Sequence, residues 1–211
     1  MKRFGFLIST TIALLFAATS PVKANPFVLL EDNFDSENNG LSVINFSGLS
    51  NWNVVDGTLD LIGVGGFDPL PGNGLYLDLD GSTNNAARIE SKSLFSFEAG
   101  DMITLSFDLA GSQRDTNTLD VSLGSLFSET LEIEANFPLT TITRTFEANS
   151  LTDAILAFDH SGGDQVGLLF DNVLLSVDRE TESVPEPGTT AALLVLGGLG
   201  IKSLRQRKQN Q

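Results

Sequence analysis

The sequence predicts an all-β protein, an antiparallel two-sheet jelly-roll sandwich, with a closed barrel as the alternative. Three observations carry this. Short segments of alternating apolar and polar residues recur between positions 27 and 177, the pattern of half-buried strands. Turn-forming pairs punctuate them, among them Asp56-Gly57, Pro71-Gly72, Asp80-Gly81, Ala99-Gly100 and Gly162-Gly163. No stretch before the last 28 residues keeps a 3.6-residue period. About ten short strands in one unit close most simply as two packed sheets.

Taken in order, the candidate strands are Phe27–Leu30, Leu41–Phe46, Trp52–Val55, Thr58–Ile62, Leu75–Leu79 and Ala87–Glu90. Met102 to Ala110 is the clearest, with Ile103, Leu105, Phe107 and Leu109 on one face and Thr104, Ser106 and Asp108 on the other. Leu119, Val121 and Leu123 repeat the pattern, as do Ile142 and Phe146 around Arg144. Leu156 and Phe158 face away from Ile155 and Ala157. Val166 to Val177 is apolar on both faces and reads as a mid-sheet strand. The run Gly63-Val64-Gly65-Gly66 lacks the strand-to-helix setting of a phosphate loop and reads as a flexible loop leading to Pro69 and Pro71.

The two ends differ from this middle. Lys2 and Arg3 precede an apolar run from Phe4 to Ala18, and Val22-Lys23-Ala24 offers small residues for cleavage. This predicts a signal peptide over 1–24, cut after Ala24, and passage through the secretion machinery. At the other end stand Val184, Pro185, Glu186 and Pro187, an apolar run from Ala191 to Ile201, and a basic close with Lys202, Arg205, Arg207 and Lys208. The prolines keep the first four residues extended. Helix from Thr189 to Leu204, at about 1.5 Å per residue, measures roughly 24 Å against a ~30 Å hydrocarbon core. A short C-terminal transmembrane helix in the inner membrane is expected, with Lys202 reaching outward. The basic end favours the cytoplasmic side.

This tail resembles the PEP-CTERM sorting signal of exopolysaccharide-producing Gram-negative bacteria. The resemblance implies an exosortase as partner and a destination in the cell envelope, at the cell surface or in the extracellular matrix. The chain then divides into 1–24, an exported domain over 25–183, and a sorting signal over 184–211.

Charge follows the same division. Of 12 cations and 27 anions, only five cations but 26 anions fall in residues 25–183, a net of −21. So acidic a domain is not expected to bind nucleic acid, which needs clustered Lys and Arg. Either solubility outside the cell or divalent-cation binding accounts for it. Without cysteine, disulfides, thiol nucleophiles and thiolate metal sites are excluded. The 159 residues of the middle must hold themselves by core burial.

Glu31-Asp32-Asn33-Phe34-Asp35, Tyr76-Leu77-Asp78-Leu79-Asp80-Gly81-Ser82 and Phe170-Asp171-Asn172-Val173 resemble the galactose-binding-like jelly rolls, a group with many carbohydrate-binding modules. The resemblance implies a structural calcium where first and last strands meet, at the matching Asp35 and Asp171. Asp78 and Asp80, followed by Ser82 and Asn84, offer a second set of oxygens, with a solvated strand end as the alternative. For a glycan, Trp52 and Tyr76 are the aromatics with a polar handle, either as a binding platform or as core.

No catalytic residue stands out. Asp159, His160 and Ser161 are consecutive and point to alternate sides of a strand, so they form no relay, and a hairpin tip is expected there. A carboxylate pair for glycoside hydrolysis is not singled out among 26 candidates. The sequence thus leads to a non-enzymatic exported protein, structural or adhesive in association with extracellular polysaccharide. A carbohydrate-binding module with a defined glycan ligand is the alternative, and a carboxylate-based glycosidase is the third reading.

Overall fold

The structure is a computed structural model, and it describes residues 26–179. Within them the strands are β1 (Phe27–Asp32), β2 (Trp52–Asp56), β3 (Asp60–Ile62), β4 (Tyr76–Asp78), β5 (Arg88–Ser91), β6 (Phe95–Phe97) and β7 (Met102–Ala110). They continue as β8 (Asn117–Leu123), β9 (Phe127–Ile133), β10 (Thr140–Glu147), β11 (Thr152–Ala154), β12 (Leu156–Ser161) and β13 (Leu169–Asp178). A first sheet runs β10-β7-β13-β4-β3, and β1 also pairs with β13. A second runs β2-β5-β12-β8-β9, and β6 with β11 makes a small ribbon. All strand pairs are antiparallel.

The alternation read in the sequence decides what each sheet buries. Phe107 on β7 and Phe170 on β13 point inward from the first sheet, against Phe158 on β12 and Trp52 on β2 from the second. Their rings meet at centroid distances of 4.6 Å (Phe158–Phe170), 5.2 Å (Phe107–Phe158) and 5.7 Å (Trp52–Phe158). This aromatic contact joins the two layers where disulfides are absent. Along one open side Phe127 of β9 stacks on Phe146 of β10 at 4.8 Å. There Arg144 also donates to both carboxylate oxygens of Glu129.

The first sheet has a second apolar cluster on its outer face. Ile62, Tyr76, Ala110 and Leu169 lie there, and Leu70 and Leu139 pack on them. Leu70 belongs to the loop between β3 and β4, so that loop is folded down over the sheet rather than projecting into solvent. Gly63 permits its departure: φ is +112°, and a Cβ there would lie 2.1 Å from the Gly74 carbonyl oxygen.

The structure departs from the expected elements in four places. Leu41–Phe46 is no strand: it makes one bridge, Val43 to Leu61, and Asn45 takes φ +51°. β9 is hidden in the sequence because its Glu129 replaces an apolar residue on the inward face; the three-residue β6 and β11 are too short to show a period. The expected strand from Val166 begins only at Leu169, because the preceding residues are drawn into a loop.

The expected fold class is also corrected on the membrane. No helix among the described residues is long and apolar enough to cross one. The segment 184–211 expected to supply it lies outside the described residues. So do Ala24, Val184, Pro185, Glu186, Pro187, Arg205 and Arg207.

Candidate functional site

Three buried aspartates organise one end of the sandwich. Asp60 and Asp78 are paired across β3 and β4 on the outer face of the first sheet, and Asp80 follows in the next turn. Asp60 Oδ1 accepts the Asn45 N–H at 2.6 Å and the Ser82 N–H at 3.1 Å, and its Oδ2 accepts the Ser82 hydroxyl at 2.7 Å. Asp78 Oδ1 accepts the Gly167 N–H at 2.7 Å and the Asp80 N–H at 3.1 Å. Asp80 Oδ2 accepts three consecutive N–H groups, those of Gly163, Asp164 and Gln165, at 2.8 to 3.1 Å. Three carboxylates thereby fix three loops. Gly167 allows the close approach, since a Cβ there would lie 2.3 Å from the Asp80 nitrogen.

Those loops enclose a cleft of about 440 Å³, lined by Asp60, Asp78, Ser82, Gln165, Ile44 and Phe67 among others. Phe67 is 69% exposed and Ile44 64%. Both are large apolar side chains held at the mouth rather than in the core. Tyr76 holds the loop that carries Phe67: its hydroxyl accepts the Leu70 N–H at 2.9 Å and donates to Asp68 at 2.8 Å. Burial, with the Asp68 carboxylate beside it, raises the affinity of that phenol for its proton. The cleft therefore joins an apolar, ring-bearing rim to a carboxylate floor held by backbone N–H groups, while Asp80 Oδ1 beneath it is buried without a partner among the described residues.

Asp78 is the unusual group in it. Burial pushes its carboxyl up to about 6, with the charges of Asp60 and Asp80 adding and the two backbone N–H groups opposing. Its Oδ2 has no hydrogen-bond partner among the described residues. The described cations are engaged elsewhere: Arg88 with Glu90 and Asp159, Arg114 with Asp164, Arg144 with Glu129, Arg179 with Asp101, and Lys92 with the Leu49 carbonyl.

The aromatics named from sequence do not form a platform. Trp52 is wholly buried, packs on Phe158 and donates its Nε1–H to Asp32 at 2.9 Å. Tyr76 is wholly buried beneath the β3–β4 loop. Asp78 and Asp80 are not a solvated strand end but buried clamps. His160 is not at a hairpin tip: it is an interior residue of β12, with its Nδ1 unpartnered among the described residues. Phe67 was missed because its glycine-rich surroundings read as a flexible loop. The signal was a large aromatic ring in that loop with no strand partner to bury it.

Asp35 and Asp171 do come to one region. Asp171 is buried, and its carboxyl is pushed up to about 7 by that burial, then by the charges of Asp108, Asp35 and Asp32. The donor type suits calcium. The arrangement is not that of an ion cage. Asp35 spends one oxygen on the Leu75 N–H and the other on Asn33, and Asp171 accepts from Asn172. Among the described residues no three metal-ligating side chains converge. A larger groove nearby, about 580 Å³, is lined by Asp32, Asp108 and Asn172 among others. It carries no aromatic ring, and these groups bond to their neighbours.

No family model matches the chain, and no curated relative does. Solved structures do resemble it. The CBM22-1 and GH10 modules of Clostridium thermocellum xylanase 10B, complexed with xylohexaose, are 17% identical over 76% of this chain and 30% of that one, with a TM-score of 0.45. The cleaved adhesin domain K3 of Lys-gingipain from Porphyromonas gingivalis is 16% identical over 72% and 99%, with a TM-score of 0.46. A carbohydrate-binding module of Cellvibrio mixtus lichenase 5A, with cellotriose, is 12% identical over 74% and 100%, with a TM-score of 0.39. This chain spans less than a third of the xylanase chain. At these distances the likeness is one of sandwich architecture alone.

These findings correct the functional expectation. No family model matches the chain, and no helix among the described residues is long and apolar enough to cross a membrane, so an exosortase partner, a membrane-anchoring tail and a sorted structural or adhesive role are withdrawn. The expectation of a non-enzyme is not carried forward: glycoside-hydrolase chains stand among the similar structures, and a likeness at this distance decides neither for nor against catalysis.

The raised proton affinity of Asp78 fixes a sign. Its folded-state value, about 6, lies above the ordinary 3.8, so between these values the native state holds the extra proton and stability falls as pH rises through 6. Asp78→Asn is expected to raise the melting temperature at pH 7.5 by about 3 °C or more and to change it little at pH 4.5. Thermal melts across that range check this, and an equal effect at both pH values contradicts it.

Proposed function

We propose that this chain is an exported, galactose-binding-like β-sandwich that binds carbohydrate in the cleft between Phe67 and Asp78. The observation that carries this reading is an exposed aromatic ring at the mouth of a cleft with a fixed polar floor. Sugar rings present apolar C–H faces that stack on such a ring, while their hydroxyls need oriented acceptors and donors. Phe67 supplies the first. Asp78, Ser82 and Gln165 line the floor that supplies the second. Because the floor is held by backbone N–H bonds from three loops, little ordering is left to be done on binding.

Hydrolysis is the competing outcome. Asp60 and Asp78 form a cross-strand carboxylate pair, as glycoside cleavage uses. Asp60, however, has both oxygens engaged, leaving one carboxylate oxygen open, so binding is the activity this geometry supports best.

Calorimetry with a panel of soluble oligosaccharides tests the reading. A binding oligosaccharide is expected to lose about tenfold or more in affinity on Phe67→Ala, with the melting temperature retained; unchanged affinity moves the site elsewhere. Release of reducing sugar in the same samples would convert the binding site into an active site.

A structural calcium at Asp35 and Asp171 is a separable part of the proposal. It rests on the buried carboxyl of Asp171, which the charges of Asp108, Asp35 and Asp32 reach. Calcium is expected to raise the melting temperature by several degrees relative to chelator, an effect lost in Asp171→Asn. Identical melts in both buffers remove calcium from the account.

A further inference from the structure

The cleft carries a carboxylate that two backbone N–H groups support and no cation among the described residues meets. Asp78 is only 5% exposed, yet one carboxylate oxygen lacks a partner among the described residues and the side chain lines the cleft. Asp60 stands directly across the strand pair, and Asp80 lies two residues on, so its neighbours are anions too. No Lys or Arg among the described residues lines the cleft. A buried carboxylate in such company is costly to keep ionised unless a cation or a strong donor reaches it.

We propose that the ligand of this cleft is a glycan bearing a free primary amine, its ammonium seated on Asp78 Oδ2 beside Asp60 and its ring face on Phe67. This rests on the carbohydrate-binding reading and names the class of sugar. An ammonium offers three donors and a compact charge, and hydrogen bonds between charged partners are about twice as strong as neutral ones. Uronate and sulfate groups are excluded by the same arithmetic, since they would meet two carboxylates with no cation between them. N-acetylation removes the charge and adds bulk at the same atom, so acetylated and free amino sugars separate cleanly.

The test is calorimetry of the full chain at pH 6.5 with a glucosamine trimer, an N-acetylglucosamine trimer, a glucose trimer and a galacturonate trimer. The glucosamine trimer is expected to bind at least tenfold tighter than the other three. Asp78→Asn should erase that preference while keeping a melting temperature equal to or above that of the parent. Glu132→Gln, on exposed β9, should leave the preference intact, which separates the cleft from general attraction to an acidic protein. Equal affinities for the free and acetylated trimers, or a preference that survives Asp78→Asn, overturn the inference. If a neutral trimer binds best, the amine inference falls and the glycan site stands. If none of the four binds, and the wider panel also fails, the carbohydrate reading falls and takes this inference with it.

Discussion

Backbone N–H groups in loops must find acceptors, and at one end of this molecule they find carboxylates instead of other strands. Asp60, Asp78 and Asp80 together accept seven backbone N–H bonds and one hydroxyl from loops that the two sheets do not reach. Each such bond to a charged acceptor outweighs a neutral one. Removing a carboxylate would strand several donors at once in a buried setting. The shape of the cleft, the position of Gln165 at its wall and the course of the β12–β13 loop all depend on this arrangement. The associated cost is an excess of buried negative charge, with Asp80 Oδ1 buried and unpartnered and Asp78 Oδ2 without a hydrogen-bond partner among the described residues.

The rest of the fold makes that cost bearable. Phe107, Phe158, Phe170 and Trp52 knit the two sheets into one core, so the loop end does not have to hold the layers together. On the outer face, Tyr76 does two things with one side chain. Its ring joins Ile62, Ala110 and Leu169 in the small apolar cluster, and its hydroxyl ties down the backbone of the β3–β4 loop. Burial of that ring is what frees Phe67, nine residues earlier, to stand exposed. The polar handle that drew attention to Tyr76 as a ligand platform instead supports the platform's neighbour.

Much of the sandwich was legible because alternation is a local property. Ile103, Leu105, Phe107 and Leu109 face the core as their spacing requires. The edge strand β9 was not legible, since Glu129 sits inward and is neutralised by Arg144 from another strand, a partner no spacing reveals. The candidate site shows the same divide. Asp78 and Asp80 read in the sequence as a set of oxygens or a solvated strand end. In the structure their carboxylates accept from backbone N–H groups more than 80 residues on, which buries that end. Trp52 and Tyr76 were resolved as core only by burial, and Phe67 only by the loop that carries it.

Mapping of backbone amide shifts by NMR, as an amine-bearing oligosaccharide is titrated into the full chain, tests the central claim most directly. The account predicts that the largest changes fall on Gly63 to Phe67, on Ser82 and on Gly163 to Gly167, the N–H groups that surround or are held by the three carboxylates. Changes confined to the groove around Glu31, Asp108 and Asn172, with these loops silent, would contradict it.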